Sequence, residues 1–497
     1  MNNIIVVGSG PAGISVANAL LERGCKVSLL DAGNTLEVEK KNLLTEIQKN
    51  NIDVSSLKSN AYSKIKMKLP YGSQFIYNDV RNYFHWETHR CYLPNSFARG
   101  GLSNVWGSVL SEFSDKELLN WPASCRNLSK YYSTISSWFK TYYTVDTSQF
   151  LSRQAHYLKS KWEENKLDLN EKGFSFGQPI LGVDFNQCHL CGLCQHGCPF
   201  ELIHHMSIHL NVLKANKNFN YIENVVVENF HERHQQVELL VTHMKNRNSF
   251  HMIADRLFIA CGAGLSSLLY LKSLNKKGKE LVLKDSQHFF IPCLLDRRFE
   301  NIRHDALHTL CQLKMVVTDK KISCFPVHMQ LYTYMDLYEM EIKNKFKWFP
   351  IFLQPIFNFL TERLVVIQGY LDSRMSNHII IIYNENQQFT ISTSQSRVAN
   401  RTISRIRKLL NRSKKNLSIY PIPFFLSKSL PGESNHVGGS LPMADLPQED
   451  EVNIWGTPNH FKHVHFVDGS ILPHIPAGPI TFTIMANAYR IGKEVPL

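Results

Sequence analysis

The sequence predicts an α/β protein: a parallel sheet assembled from distant stretches of chain, with an antiparallel-sheet region inserted into it. Three observations predict this. An apolar run at Ile4-Ile5-Val6-Val7 enters a glycine-rich turn, a helix-period segment through Leu21 and a second apolar run, Val27-Ser28-Leu29-Leu30. That is the strand–helix–strand rhythm of a parallel sheet. Residues 305–395 read instead as antiparallel strands, the stretch Ile379-Ile380-Ile381-Ile382-Tyr383 among them. An apolar strand (464–468) and a helix (481–493) then return near the end, as if to complete the first sheet.

The bulk numbers agree with such a molecule. A chain of 497 residues suggests about two to four domains. With 43% hydrophobic and 20% charged residues it has globular composition. The formal net charge of +13 invites acidic partners, yet the basic residues are dispersed and no nucleic-acid-binding motif occurs, so nucleic acid is not expected. The first strand begins at Ile4, which leaves no room for a signal segment ahead of it. No stretch approaches the roughly 20 apolar residues that span a bilayer. The expected location is the cytoplasm, where the 11 cysteines are free thiols or metal ligands sooner than disulfides.

Along the chain, residues 37–68 are rich in Lys and Asn and read as a surface helix or loop. A second glycine-rich turn lies at 100–104, and a cysteine-rich irregular stretch at 181–200. A hairpin follows (224–228 with 237–241), then a strand over 256–260 running into Cys261-Gly262-Ala263-Gly264. Arg397 to Arg412 reads as an amphipathic helix with Val398, Ile403, Ile406 and Leu410 on one side.

Gly8-Ser9-Gly10-Pro11-Ala12-Gly13 fits G-x-G-x-x-G between a strand and a helix. The first glycine makes the turn, the second lets a pyrophosphate approach the backbone, and the third lets helix and strand pack closely. The helix beginning here offers free N–H groups to the phosphates. Asp31 closes the second strand about 20 residues on, where an acidic side chain accepts from ribose hydroxyls. The site is therefore a dinucleotide site.

Three segments together resemble the glucose–methanol–choline oxidoreductases, most nearly those of pyranose oxidase or cholesterol oxidase type. They are the first glycine turn, the turn Gly100-Gly101-Leu102-Ser103-Asn104-Val105-Trp106-Gly107, and the closing stretches His436 to Met443 and Phe466 to Pro473. The resemblance implies a Rossmann-like FAD-binding domain (1–36, 80–120, 180–294 and 426–497) with an inserted α+β antiparallel-sheet substrate-binding domain (121–179 and 295–425). It implies FAD contacts from Gly8, Gly10, Pro11, Ala12, Gly13, Asp31, Gly100, Gly101, Ser103, Asn104, Val226, Gly262, Asp468, Gly469, Pro479 and Ile480. Val105 falls where some members attach flavin through a histidine, so FAD is expected to be noncovalent here.

His436 falls on the catalytic histidine of the family, and a neutral imidazole suits proton removal from an alcohol. Its usual His or Asn companion falls on Gly478 or Pro479, neither of which offers a side-chain donor; His474 is the nearby alternative. The helix from about Thr481 is expected to aim its N-terminus at the reduced ring. The implied activity is oxidation of a CH–OH group on a small-molecule sugar, polyol or sterol-like alcohol, passing electrons to an acceptor that the sequence does not identify. The alternatives are an electron-transfer flavoprotein feeding a partner or quinone, and a flavin-binding scaffold without catalysis.

Two further features stand outside that resemblance. Cys188, Cys191, Cys194 and Cys198-Pro199 keep the ferredoxin spacing C-x2-C-x2-C-x3-C-P, which suits a [4Fe–4S] cluster; zinc and unligated thiols remain open. Lys343, Lys345 and Lys347 precede an aromatic-rich stretch to Leu360, which reads either as a buried segment or lid, or as a peripheral membrane contact at 343–360.

Overall fold

The computed structural model describes residues 3–50, 54, 57, 68–139, 147–345, 354–394, 396–423 and 425–497. Five parallel strands form its first sheet, in spatial order Val464–Phe466, Arg256–Ile259, Asn3–Val7, Lys26–Asp31, Phe219–Glu223. The order in which the strands are connected reverses between Asn3–Val7 and Arg256–Ile259. Ligands of open parallel sheets bind at that switch point, beyond the carboxyl ends of the strands. Asn3–Val7, Arg256–Ile259 and Val464–Phe466 are short, apolar and almost wholly buried, as strands covered on both faces require.

Helix Pro11–Glu22 returns from the first glycine turn and packs along the C-terminal helix Thr481–Glu494. A Cβ on Gly492 would lie 2.8 Å from that of Ala19, so this glycine sets the close approach. Arg23 donates to the carbonyls of Gly492 and Val495 at 2.8 and 2.9 Å. The expected hairpin is the first part of a three-stranded antiparallel sheet, Val225–Arg233, Gln236–His243 and Ser249–Ala254.

A separate antiparallel sheet carries His288–Leu295, Leu364–Tyr370, Val327–Tyr332 and Leu313–Val317 side by side. One face, including Phe289, Ile291, Met329, Leu331, Val365 and Ile367, forms a second core. Helix Arg397–Arg412 packs there through Ile403, Ile406 and Leu410, with the Ser396 hydroxyl accepting from the Ala399 N–H at its start. Val398, expected on that side, is 47% exposed, because Ala399 and Thr402 carry the buried stripe one position later. The architecture is thus the expected Rossmann-like α/β domain with an antiparallel-sheet domain inserted.

The two cores divide the chain differently from the expected boundaries in three places. Trp121, Tyr132 and Phe139 join the first core, as do Ile379, Ile381 and Phe389, whereas Phe289 and Ile291 belong to the second. Strand His378–Tyr383 pairs with Glu280–Asp285 instead of with the His288–Leu295 sheet, which pulls it across. Of the 343–360 stretch, residues 346–353 lie outside the described residues; in helix Gln354–Thr361 the side chains of Ile356, Phe359 and Leu360 are exposed and Phe357 is buried. Among the described residues no helix is long and apolar enough to cross a membrane.

Candidate functional site

A cavity opens at the switch point of the parallel sheet. Gly8, Gly10, Pro11 and Ala12 line it on one side, Gly262 and Ala263 on another, and Ile480 and Thr481 at its far end. Two glycines have no alternative here. Gly8 sits at φ +100° with a would-be Cβ 2.6 Å from the Ala260 carbonyl oxygen; on Gly13 a Cβ would lie 1.8 Å from the Gly8 oxygen. At Gly10 the same construction meets nothing within 4 Å, so that bare backbone faces open space.

Three helices begin at this cavity, Pro11–Glu22, Ala263–Ser273 and Thr481–Glu494, and none has a side-chain cap. Their unsatisfied N–H groups and positive dipole ends converge on one space, which favours an electron-rich ligand.

Asp31 is 7% exposed at the cavity wall beside Val225, Val226 and Val227. The Ser9 hydroxyl and the Tyr221 hydroxyl (2.9 Å) both donate to its Oδ2. Burial pushes its carboxyl up to about 6, against the pull of those two donors. At the other end Asp468 Oδ2 accepts from the Gly262 N–H at 2.8 Å and from the Ser266 hydroxyl, while Oδ1 accepts from the Ser470 N–H at 2.9 Å. This carboxylate ties the C-terminal strand to the start of helix Ala263–Ser273.

The second glycine turn leans on the first. The Gly100 N–H donates to Ser9 Oγ at 2.8 Å, and a Cβ on Gly101 would come within 3.4 Å of Gly10 Cα. Gly101 and Leu102 line the cavity. Ser103 and Asn104 brace the turn instead: Ser103 donates to the Gly100 carbonyl at 2.6 Å, and Asn104 Nδ2 to the carbonyls of Arg99 and Gly101 at 2.9 and 2.6 Å.

His436 stands between Asn435 and Val437, which both line the cavity. Its ring stacks on Tyr370 with centroids 4.8 Å apart and planes 18° apart, and its Nδ1 is buried with no hydrogen-bond partner. Burial pushes its imidazolium down to about 4, so the ring is neutral at physiological pH. A Cβ on Gly438 would lie 2.2 Å from the Gly469 oxygen, so the histidine strand and the Asp468 turn meet backbone to backbone.

Tyr370 belongs to the face of the second antiparallel sheet opposite its apolar core. In register across that sheet it pairs with His288 on one side and His328 on the other; Gln368 in turn lies between Phe290 and Gln330. His288, Tyr370, His328 and Gln330 are all less than a tenth exposed. His328 Nε2 has no partner, and burial with the neighbouring Lys314 and His436 pushes this ring down to about 3. Ser429 meets His288 Nε2 at 2.6 Å and the Tyr332 hydroxyl donates to Gln330 Oε1 at 2.8 Å, which leaves the His328 and His436 nitrogens for a polar occupant or water.

A family profile described as pyridine nucleotide-disulphide oxidoreductase matches residues 3–60, the stretch that holds the first strand, the first glycine turn and Asp31. Its start coincides with the half of the cavity that fits a nucleotide, and the other half ends at an uncapped helix suited to an electron-rich ring. The chain is an FAD-dependent oxidoreductase. No curated protein matches it in sequence. Its fold is similar to the solved structure of pyridoxine 4-oxidase from Mesorbium loti, with a TM-score of 0.62 at 11% identity, covering 100% of this chain and 99% of that one.

In this oxidoreductase the residues named from sequence separate by position. Gly8, Gly10, Pro11, Ala12, Asp31, Gly101, Val226, Gly262, Asp468, Gly469 and Ile480 line the cavity that suits FAD. Gly13, Gly100, Ser103, Asn104 and Pro479 do not line it; the first four hold its walls in place. His474, the substitute considered for the missing companion, is 3% exposed with neither ring nitrogen bonded, close to Arg374, Asp372 and Lys284. Sequence reasoning missed Tyr221, Tyr370, His288 and His328. Tyr221 was findable, since a strand pairing with the Asp31 strand must place some side chain beside that carboxylate. The cysteines Cys188, Cys191, Cys194 and Cys198 all border one small cavity of their own.

Proposed function

We propose that the oxidoreductase oxidises a CH–OH group of a polyhydroxylated small molecule, a sugar or polyol, to a carbonyl, with His436 as the base. The observation that carries this reading is the buried polar row His288–Tyr370–His328, with His436 stacked on its central residue. Hydroxyls both donate and accept, and imidazoles, amides and a phenol answer them in kind. An apolar sterol-like alcohol would leave the unbonded nitrogens of His436 and His328 unsatisfied, at about 1–3 kcal/mol for each buried one.

When bound, FAD supplies an acceptor for the hydride leaving carbon. The protein's own contribution is proton and charge management. His436, neutral because it is buried, takes the hydroxyl proton on the substrate side. The N-terminus of helix Thr481–Glu494 places fixed dipoles where negative charge accumulates. Gln330 and Gln368 on the next rung fix the remaining hydroxyls of the substrate.

Anaerobic mixing of purified protein with a panel of sugars, linear polyols, simple alcohols and sterols tests the proposal through bleaching of the flavin absorbance. Bleaching by sugars or polyols, lost in His436→Ala with flavin content intact, is the expected result. Bleaching by sterols alone would refute the substrate class. Flavin reduced only by a protein partner would refute alcohol oxidation altogether, in favour of electron relay.

A further inference from the structure

The cysteine run at 188–198 has no part in the alcohol chemistry above, and its surroundings are more organised than a structural loop needs. All four sulfur-bearing residues line a single enclosed cavity, walled by Val183, Leu202, Ile203 and Leu310. Cys194 lies within electrostatic reach of the other three. Positive φ angles at Leu190 (+48°), Gly192 (+74°), Gly197 (+103°) and Glu201 (+53°) wrap the chain round this space. A Cβ on Gly197 would lie 2.7 Å from the Tyr71 ring, so the wrapping is tight.

The backbone is turned toward sulfur. The Leu202 N–H donates to Cys198 Sγ at 3.3 Å, and the Leu190 and Thr309 N–H groups face Cys188 and Cys194. Such N–H···S bonds tune and stabilise clusters held by thiolates. Outside the loop, Gly192 donates to Leu307 O at 3.0 Å, Gln195 to Thr309 O at 2.8 Å, and Tyr71 to Cys198 O at 2.7 Å. Lys68 stands within electrostatic reach of Cys194, a cation beside what would be a net anionic group.

Zinc would require four sulfurs about 2.3 Å from one point. These four sulfur-bearing residues border a space instead. The loop is also joined to the flavin site. The Met206 N–H donates to Ser103 Oγ at 2.9 Å, Ser207 to Arg99 O at 2.8 Å, and Trp106 to His204 O at 2.8 Å. One cleft has Asn104, Val105 and Trp106 on one wall and Cys194 and Cys198 on the other.

We propose that Cys188, Cys191, Cys194 and Cys198 hold a [4Fe–4S] cluster, and that it carries electrons out of the flavin site to a one-electron acceptor. Oxidising one CH–OH group to a carbonyl releases two electrons and two protons. The cluster moves one electron at a time, so each carbonyl formed reduces two equivalents of acceptor, while the protons pass to solvent. The binding half of this proposal is independent of the alcohol reading; the electron-exit half rests on it.

The test is chemical analysis of the full chain purified without oxygen. The expected result is about four iron and four acid-labile sulfide per chain, with broad absorption near roughly 400 nm and an electron paramagnetic resonance signal on reduction by dithionite. Absence of iron and sulfide, stoichiometric zinc, or four thiols freely titrated in the native protein would each overturn the site. Cys191→Ser with Cys194→Ser should lose the iron, with flavin content reporting that the rest remains folded. In that variant substrate-driven reduction of ferricyanide, the one-electron probe, should fall at least about tenfold while flavin bleaching persists. Unchanged ferricyanide reduction would overturn the exit role alone. If no alcohol bleaches the flavin, the iron and sulfide result still stands on its own.

Discussion

The cofactor cavity and the polar face of the His288–Leu295 sheet meet at His436 but are built by opposite means. The cavity is made of backbone: glycines that no side chain could replace, three uncapped helix starts, and two carboxylates occupied in holding turns together. The sheet face is made of side chains projecting from regular strands, where any residue fits the backbone and only the ligand decides which one serves. A backbone site tolerates almost no change; a side-chain site can be retuned one residue at a time.

Substitutions should expose that asymmetry. The largest effect is expected from Gly13→Ala, which drives a methyl into the Gly8 carbonyl and has only backbone to displace. We expect loss of bound flavin and about 3 kcal/mol of stability, read by flavin content and denaturant unfolding. Retained flavin would mean that the turn is softer than its geometry. His436→Ala should keep flavin and slow its reduction by substrate about 10²- to 10⁴-fold in stopped-flow measurements. Because its imidazolium is already held down to about 4, the wild-type rate should show no His436 inflection between pH 5 and 8.

Gln330→Leu, on the sheet face, should leave both flavin and kcat nearly intact and raise KM for a polyol about three- to tenfold, the worth of one hydrogen bond. A simple monohydric alcohol should be unaffected. The smallest effect on activity concerns Asp285, wholly buried behind the His436 strand, whose carboxyl burial raises to about 7. Since the unfolded chain ionises it near the ordinary carboxylate pKa, about 3.8, the folded state is penalised as pH rises from there to 7. Asp285→Asn should therefore stabilise the protein most above pH 7 and hardly at all near pH 4, which thermal melts across that range would register.

The same asymmetry explains how much could be read from sequence. Gly8, Gly10, Gly13, Asp31 and the turn at Gly100-Gly101 were legible because the backbone restricts their identity, and the parallel sheet followed from them. His288, Tyr370 and His328 were not, because polar residues alternating along a strand look like an ordinary solvent face. Only pairing across strands far apart in sequence shows that this face is buried. Asn104 was legible as important and misplaced in role: it braces its turn and lies off the cavity. The boundaries failed where strands His378–Tyr383 and His288–Leu295 changed sheets, since such partner choices leave no local trace.

The parallel sheet draws its edge strand from Val464–Phe466, and the helix behind the first glycine turn leans on Thr481–Glu494. During synthesis, therefore, the nucleotide-binding half stays unfinished until residues 464–494 have emerged from the ribosome. Capture of the cofactor becomes a late event, and a prematurely terminated product would leave an apolar sheet edge exposed to aggregation or degradation.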